Sequence, residues 1–374
     1  MRILEIIPQL DSGGAERFTV DLCNELVSKG HQVRLLLFFP LDNPKYTFYL
    51  PELDPKVEVV SLNKGLGFEL STYKRVADEI KNFHPDVVHS HVRGLFYLPL
   101  AIWRYHKQIK FFHTVHSDAQ KEALGSRLDV WIRRFFFKKN RVQAVTISPE
   151  SADSFKKFYG IEAPMIYNGR NIDANITISP EVAEIFRQVR ITDKTKVIVN
   201  IAHIDRVKRQ DILARVITNL NKEGYDVSLV LVGRIGDDAV AEQIKRLDNP
   251  RIHIMGARTN PLEFIKAADA FCLSSQYEGL PISLIEALGV GTIPICTPVG
   301  GIKNLITDGH NGFLSSDISE EAIYSVIKRF LNADQSTIDG IKLNLPATYS
   351  KFTMTECATL YKELFTSDIT QKVS

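Results

Sequence analysis

Short apolar runs alternate with amphipathic segments along the whole chain, a pattern that dictates strand–helix repeats around parallel sheets buried on both faces. In the first half the spacing predicts strands at RILEIIP (2–8), QVRLLLFF (32–39), DVVHS (86–90), KFFHTV (110–115), VQAVTIS (142–148) and PMIYN (164–168), with a helix from Ala15 to Lys29. A second series restarts at KVIVNIA (196–202) and runs through VSLVLVG (227–233), RIHIM (251–255), AFCLS (270–274) and TIPIC (292–296). Between them lies NGRNIDANITISP (168–180), a polar stretch with Gly169 and Pro180 that reads as a linker. A last helical pattern, roughly Thr353 to Phe365, fits against either series. The expected fold is therefore α/β, with two doubly wound, Rossmann-like domains facing a central cleft, residues 1–170 and 171–350, and a C-terminal helix in 351–374. In open α/β sheets ligands collect beyond the carboxyl ends of the strands, so candidate chemistry belongs in the strand-to-helix turns.

Composition narrows the class. At 374 residues the chain exceeds one typical core and suits two. Apolar content of 44% and charged content of 24% are ordinary for a globular protein and imply no disorder. MRILEIIPQL lacks the cationic-then-apolar layout of a secretory leader, and no run reaches the ~18 apolar residues of a membrane span. Cys23, Cys272, Cys296 and Cys357 stand singly, which argues against a disulfide framework or a thiolate metal site and fits a reducing cytoplasm.

Net charge is only +2, but residues 1–170 carry 24 Lys+Arg against 19 Asp+Glu while the remainder carries 22 against 25. The sharpest excess is RLDVWIRRFFFKKNR (127–141), with six basic residues and one acid around Trp131 and Phe135 to Phe137. Such a segment suits an anionic lipid surface, its aromatic stripe being otherwise core. A local excess on a near-neutral chain argues against a nucleic-acid partner.

Five turns carry candidate chemistry. In DSGGAERF (11–18), Gly13 and Gly14 permit close backbone approach and the following helix start offers free N–H groups to an anion, although a plain tight turn reads the same way. It is not GxGxxG, so no nicotinamide cofactor is indicated. In EGLPISLIEALGVGTIPICTPVGG (278–301), Gly279 and Pro281 suit a helix start, and a helix from Pro281 to Leu288 would present its positive end to a phosphate. Glu278 then stands at the lip of that helix and Glu286 just over one turn inside, able to accept hydrogen bonds from a polyol; the alternative is a cap and a solvated helix residue. IAHIDRVKRQD (201–211) places Arg206, Lys208 and Arg209 directly after a strand, with Lys208 and Arg206 the candidates for a diphosphate. Histidines pair in DVVHSHVRG (His89, His91) and HTVHSD (His113, His116). The HxH spacing puts two rings on one side of a strand, where Asp86 or Asp118 could complete a metal site, but hydrogen-bonding or core-edge histidines are commoner and no metal is expected. His116 suits a hydrogen-bonding or proton-sharing role.

Together these turns resemble the retaining, GT-B-fold glycosyltransferases of family four, the glycosyl transferases group 1. The resemblance rests on GGAE at 13–16, DVVHSH at 86–91, His116, YNGRNID at 167–173, Lys208, and the block from Glu278 to Leu314 with its Glu-x7-Glu, Pro-x-Gly-Gly and Asp-Gly-x-Asn-Gly. It implies a nucleotide-sugar-dependent enzyme of the retaining hexosyltransferase type, with His116, Glu278 and Lys208 as catalytic residues. Glu286 would bind the ribose, and Glu278 with the backbone of Gly279, Leu280 and Pro281 would hold the donor sugar. Lys208 would neutralise the diphosphate, approached by Gly13 and Gly14 from the other domain, and the Arg258 loop would face the base. His116 would contact the sugar's outer hydroxyls or the developing oxocarbenium region. One departure stands out: Ala202-His203 replaces the family's usual Gly-Arg, leaving Arg206 to supply the missing cation.

The implied donor is a UDP- or GDP-sugar and the implied acceptor a glycan or polyprenyl-linked glycan in surface polysaccharide or glycoconjugate synthesis. The implied location is cytoplasmic, peripheral on the inner face of the cell membrane through 127–141, and no metal or other cofactor is required. Nucleotide-sugar epimerases, sugar phosphorylases and a non-catalytic nucleotide-sugar binder share the architecture and remain open alternatives. A glycoside hydrolase leaves the phosphate-binding turns unexplained.

Overall fold

The computed structural model describes residues 1–123, 126–173 and 175–367. Ala174 of the expected linker and 368–374 of the expected C-terminal segment lie outside the described residues. The chain forms two compact units, one built from Met1–Arg170 together with the helix Met354–Thr366, the other from Asn171–Thr353.

The first unit is a six-stranded parallel sheet of β1 (Arg2–Ile6), β2 (Gln32–Leu37), β3 (Glu58–Ser61), β4 (Val87–His91), β5 (Lys110–Val115) and β6 (Gln143–Thr146), in the order β3-β2-β1-β4-β5-β6. The second holds β7 (Lys196–Ile201), β8 (Val227–Val232), β9 (Ile252–Gly256), β10 (Ala270–Leu273), β11 (Ile293–Cys296) and β12 (Phe313–Leu314), in the order β12-β11-β10-β7-β8-β9. Both are the doubly wound order of a dinucleotide-type fold, as the alternation predicted. Two corrections concern strands. β3 and β12 are short edge strands with no long apolar run to announce them, and PMIYN (164–168) forms only an isolated bridge from Met165 to Thr146.

Central strands are continuous apolar runs because helices cover both faces. All six residues of β8, VSLVLV, are buried, and each such Val or Leu side chain favours the folded state by roughly 1.5–3 kcal/mol over exposure. The helix Met354–Thr366 turns Met354, Cys357, Ala358, Tyr361 and Phe365, at helical spacing, into the first unit's core beside Phe18, Leu22 and Phe112. Lys110 Nζ donates to the carbonyls of Phe365 (3.2 Å), Thr366 (3.3 Å) and Ser367 (2.8 Å), placing a cation at the negative end of that helix.

In each sheet the order reverses direction between two central strands, β1 and β4 in one unit and β7 and β10 in the other. In folds of this order the connections leave such a pair toward opposite faces, which makes the turns beyond it the place to look for a ligand site.

Candidate active site

In the second unit the turns after β7 and β10 are stitched together. Asp205 Oδ1 accepts from the backbone N–H of Val207 and of Lys208, both at 2.9 Å, closing a tight turn that puts Lys208 directly beyond β7. Gln276 N–H donates to the Val207 carbonyl (2.7 Å) and Ser274 Oγ to that of Lys208 (2.9 Å). Across this seam Lys208 Nζ pairs with both oxygens of Glu278, at 2.7 and 2.8 Å, and Ser275 Oγ donates to Glu278 Oε1 at 2.6 Å. Glu278 is 6% exposed and Lys208 24%. The structure thus brings together two of the sequence-selected residues as one charge-assisted pair.

The helix beyond runs Ile282–Val290, with Pro281 as its extended cap (φ −70°, ψ 122°) rather than in its first turn as expected. Proline offers no polar cap, so the helix start depends on other partners for its N–H groups. Glu286 is buried at 4% exposure, which removes the solvated-helix alternative. The glycine pair far along the sequence has a role here. Gly301 N–H donates to the Gly279 carbonyl at 2.8 Å, and Gly300, at φ +49°, lies so close that a Cβ on it would collide with the Glu278 carbonyl. The PVGG segment therefore braces EGLP from behind, and only glycine fits.

The other cations lie elsewhere. Arg206, 79% exposed, pairs with Asp237 at 2.9 Å and is not brought to the Lys208–Glu278 pair; an exposed turn position with an acid across from it explains the difference. Arg209, the third cation of that turn, donates to the Ile318 carbonyl from a left-handed backbone position (φ +56°). Arg258, past the end of β9, pairs with Glu181 at 2.8 Å and donates to the Met255 carbonyl at 3.2 Å. Arg234, which no motif marks, follows β8 beside the Ala202-His203 departure, its carbonyl accepting from Ile204 N–H at 2.9 Å.

In the first unit the helix Gly14–Ser28 follows the turn after β1, with Gly13 as its cap. A Cβ at Gly13 would collide with the Glu16 carboxylate, which folds back over the helix start. Beside this helix, Glu5 of β1 receives both HxH rings: His91 Nε2 lies 2.8 Å and His89 Nδ1 3.0 Å from its Oε2. All three side chains are fully buried. The expected one-sided placement of His89 and His91 holds, but their carboxylate is Glu5, not Asp86 or Asp118. Asp86 accepts from Arg2 N–H, and Asp118 caps the short helix Ala119–Glu122. Glu5 sits inside an apolar strand run, and nothing in the sequence pattern marks it. Ligand atoms of Glu5, His89 and His91 lie within 4.8 Å of one another, near enough to hold a cation, although each already has hydrogen-bond partners.

The network continues. His91 Nδ1 faces His116 Nε2 at 2.9 Å, and His89 Nε2 faces Thr114 Oγ1 at 2.8 Å, itself 2.7 Å from Tyr361 Oη. On the other face of the sheet, Glu122 pairs with Arg133 (2.9 Å) and His113 (3.0 Å) and accepts the His116 backbone N–H at 2.7 Å. Burial would raise both carboxylates, but the neighbouring histidines and, for Glu122, Arg133 outweigh it and hold Glu5 and Glu122 at about 2. Burial, followed by the neighbouring His89 and the Arg133 guanidinium respectively, lowers His91 and His113 to about 4, and burial then His91 pushes half-buried His116 well below its ordinary value.

The basic aromatic segment forms the helix Arg127–Lys138, which divides its charges. Arg133 is not a surface cation: it is 1% exposed, bound to Glu122 and Asp129. Ile132, Phe136 and Phe137 are core, while Leu128, Trp131 and Phe135 are exposed and Trp131 stacks on Phe135 at 5.7 Å between ring centroids.

Comparison with known proteins agrees with this architecture. The family described as "Glycosyltransferase Family 4" matches residues 12–174, and that described as "Glycosyl transferases group 1" matches residues 181–340. The chain belongs to these GT-B-fold glycosyltransferases and is a glycosyltransferase of group 1. Among its relatives, the N-acetyl-alpha-D-glucosaminyl L-malate synthase of Bacillus anthracis is 25% identical over 83% of this chain and 84% of its own. The Campylobacter jejuni GalNAc-alpha-(1->4)-GalNAc-alpha-(1->3)-diNAcBac-PP-undecaprenol alpha-1,4-N-acetyl-D-galactosaminyltransferase is 26% identical over 89% of each. Anabaena Alr3699/HepE, solved in complex with UDP and glucose, superposes with a TM-score of 0.81 at 21% identity, covering 97% of this chain and 99% of its own.

Proposed function

We propose that the protein moves a sugar from a nucleotide-sugar donor to a glycan or lipid-linked glycan acceptor, with retention of anomeric configuration, in polysaccharide or glycoconjugate synthesis. The observation that carries this reading is the Lys208–Glu278 pair at the meeting of the β7 and β10 turns, with buried Glu286 just over one turn into the adjoining helix. An ammonium beside a helix start suits a diphosphate, and carboxylates that only accept hydrogen bonds suit sugar hydroxyls.

Breaking the anomeric C–O bond develops positive charge on the sugar and negative charge on the departing diphosphate. A fixed cation and helix start stabilise that departing charge without reorganising. Glu278 holds the donor sugar together with the Gly279–Leu280–Pro281 backbone, Glu286 holds the ribose, and the Arg258 loop faces the base. Gly13, Gly14 and His116 act for the first unit, His116 on sugar hydroxyls. Arg206 supplies a second cation only if the donor draws it away from Asp237. The departing phosphate oxygen takes the acceptor's proton on the same face, which gives retention without an enzyme nucleophile, and no metal enters.

The HepE complex holds UDP and glucose, and the Campylobacter relative is named for an undecaprenol-linked acceptor. Both support a UDP-sugar and a polyprenyl-linked glycan here. Such an acceptor makes cytoplasmic, membrane-peripheral work natural for the exposed Leu128 and Trp131; no described helix is long and apolar enough to cross a membrane. The test is to incubate the protein with a panel of nucleotide sugars and polyprenyl-diphosphate glycans, follow product by mass spectrometry, and read its anomeric configuration by proton NMR. A glycosylated acceptor with the donor's configuration supports the reading. Interconversion of the nucleotide sugar without acceptor overturns it in favour of an epimerase.

A further inference from the structure

The Glu5 carboxylate lies two residues of a hydrogen-bonded chain away from His116: Glu5 Oε2 to His91 Nε2 at 2.8 Å, then His91 Nδ1 to His116 Nε2 at 2.9 Å. An ionised carboxylate only accepts, so the proton between Glu5 and His91 must sit on His91 Nε2. A neutral imidazole carries one N–H, which leaves His91 Nδ1 bare and able only to accept. The proton in the next link must then belong to His116 Nε2, and His116 Nδ1 is left as a lone pair.

The surroundings favour this single arrangement. Phe18 packs edge-on against both His91 (5.9 Å) and His116 (5.4 Å), walling the chain from water. His89 donates to the same carboxylate from Nδ1 and meets Thr114 at Nε2, so Glu5 accepts from both rings and His89 is held in one orientation. The His116 backbone N–H is separately fixed by Glu122 Oε2 at 2.7 Å. Burial that keeps His91 neutral agrees with the same assignment.

We propose that Glu5 is a positioning residue acting through His91: it fixes His116 as the Nε2–H tautomer, so that Nδ1 presents a lone pair that accepts a hydrogen bond from a sugar hydroxyl and cannot donate one. This rests on the reading that His116 contacts sugar. It would make the site selective for a free hydroxyl, since a methoxy or deoxy sugar cannot supply the proton that Nδ1 needs.

The experiment is nitrogen-15 NMR of the full-length protein labelled in its histidine rings, with His116 and His91 assigned from His116→Gln and His91→Gln. The expected result is one proton bonded to His116 Nε2 and coupled through the hydrogen bond to a bare His91 Nδ1, with His89 protonated at Nδ1. A proton on His91 Nδ1, or His116 protonated at Nδ1, overturns the proposal. So does a stoichiometric metal ion with His89 Nδ1 and His91 Nε2 both bare.

Kinetics give a second arm. Glu5→Gln should lower kcat at least 10-fold with little change in donor KM, and adding His116→Gln should lower it little further, because both changes remove one function. Losses that multiply, as a purely structural role for Glu5 would give, count against it. If the wild-type spectrum is as expected but His116→Gln transfers sugar at the wild-type rate, the positioning stands and the assignment of His116 to the sugar fails.

Discussion

Lys208 and Glu278 lie 70 residues apart in sequence, yet the lysine ammonium touches both carboxylate oxygens at 2.7 and 2.8 Å. On the proposed reading the pair is re-divided when donor binds, since a diphosphate would compete for the ammonium and the sugar for the carboxylate. Lys208→Ala leaves the nearly buried Glu278 with Ser275 as its remaining side-chain partner in the pair. We expect a loss of about 1–3 kcal/mol in urea unfolding, together with loss of donor binding. The double variant Lys208→Met/Glu278→Gln should regain most of that stability and none of the binding. Recovery of both would make the pair structural only.

Gly300→Ala tests the brace behind EGLP. Its left-handed backbone and the collision with the Glu278 carbonyl together predict a loss of about 2–4 kcal/mol. Gly309→Ala is the control, being also left-handed (φ +74°) but with nothing within 4 Å of a new Cβ, and should lose only about 1 kcal/mol. Equal losses in urea unfolding would mean that the close approach contributes nothing.

Stability should fall on acidification in two stages. His91 and His113 are held at about 4 in the folded protein against an ordinary 6.5, so the unfolded chain binds their protons first. Their contribution is complete above 6.5 and is lost as pH falls from there toward 4, at roughly 1.4 kcal/mol per pH unit per histidine. Glu5 and Glu122, held at about 2 against 4.5, add stability that is present above 4.5 and lost below it. Urea midpoints measured from pH 8 downward should therefore be level to about pH 6.5 and then decline. A level profile down to pH 5 contradicts buried neutral histidines.

On the helix Arg127–Lys138, Trp131→Ser together with Leu128→Ser should leave the melting temperature within about 2 °C, because both side chains are exposed. Binding to vesicles rich in anionic lipid should drop severalfold in a sedimentation assay. Unchanged binding would remove this helix as the contact.

Alternation of apolar runs carried the two sheets, because strands covered on both faces have to be apolar throughout, and the motifs singled out Lys208 and Glu278, which the fold pairs. What pattern could not carry was pairing across the sheet. Glu5 looked like one polar residue in RILEI until β1 and β4 set it beside His89 in register. Arg133 looked like one cation among six until the helix turned it inward onto Glu122. Arg206 and Arg209, neighbours of Lys208 in sequence, diverge because a tight turn sends successive side chains in different directions, one to Asp237 and one to the Ile318 carbonyl.

The central claim is that Lys208, Glu278 and Glu286 grip a nucleotide-sugar donor, and isothermal calorimetry against a panel of UDP- and GDP-sugars tests it most directly. The wild-type protein should bind one nucleotide sugar, weakened about 10- to 150-fold in Glu286→Ala by loss of a charge-assisted hydrogen bond worth ~1.5–3 kcal/mol, and at least as much in Lys208→Ala. A folded wild-type protein that binds none of the panel, or variants that bind as tightly as wild type, would contradict it.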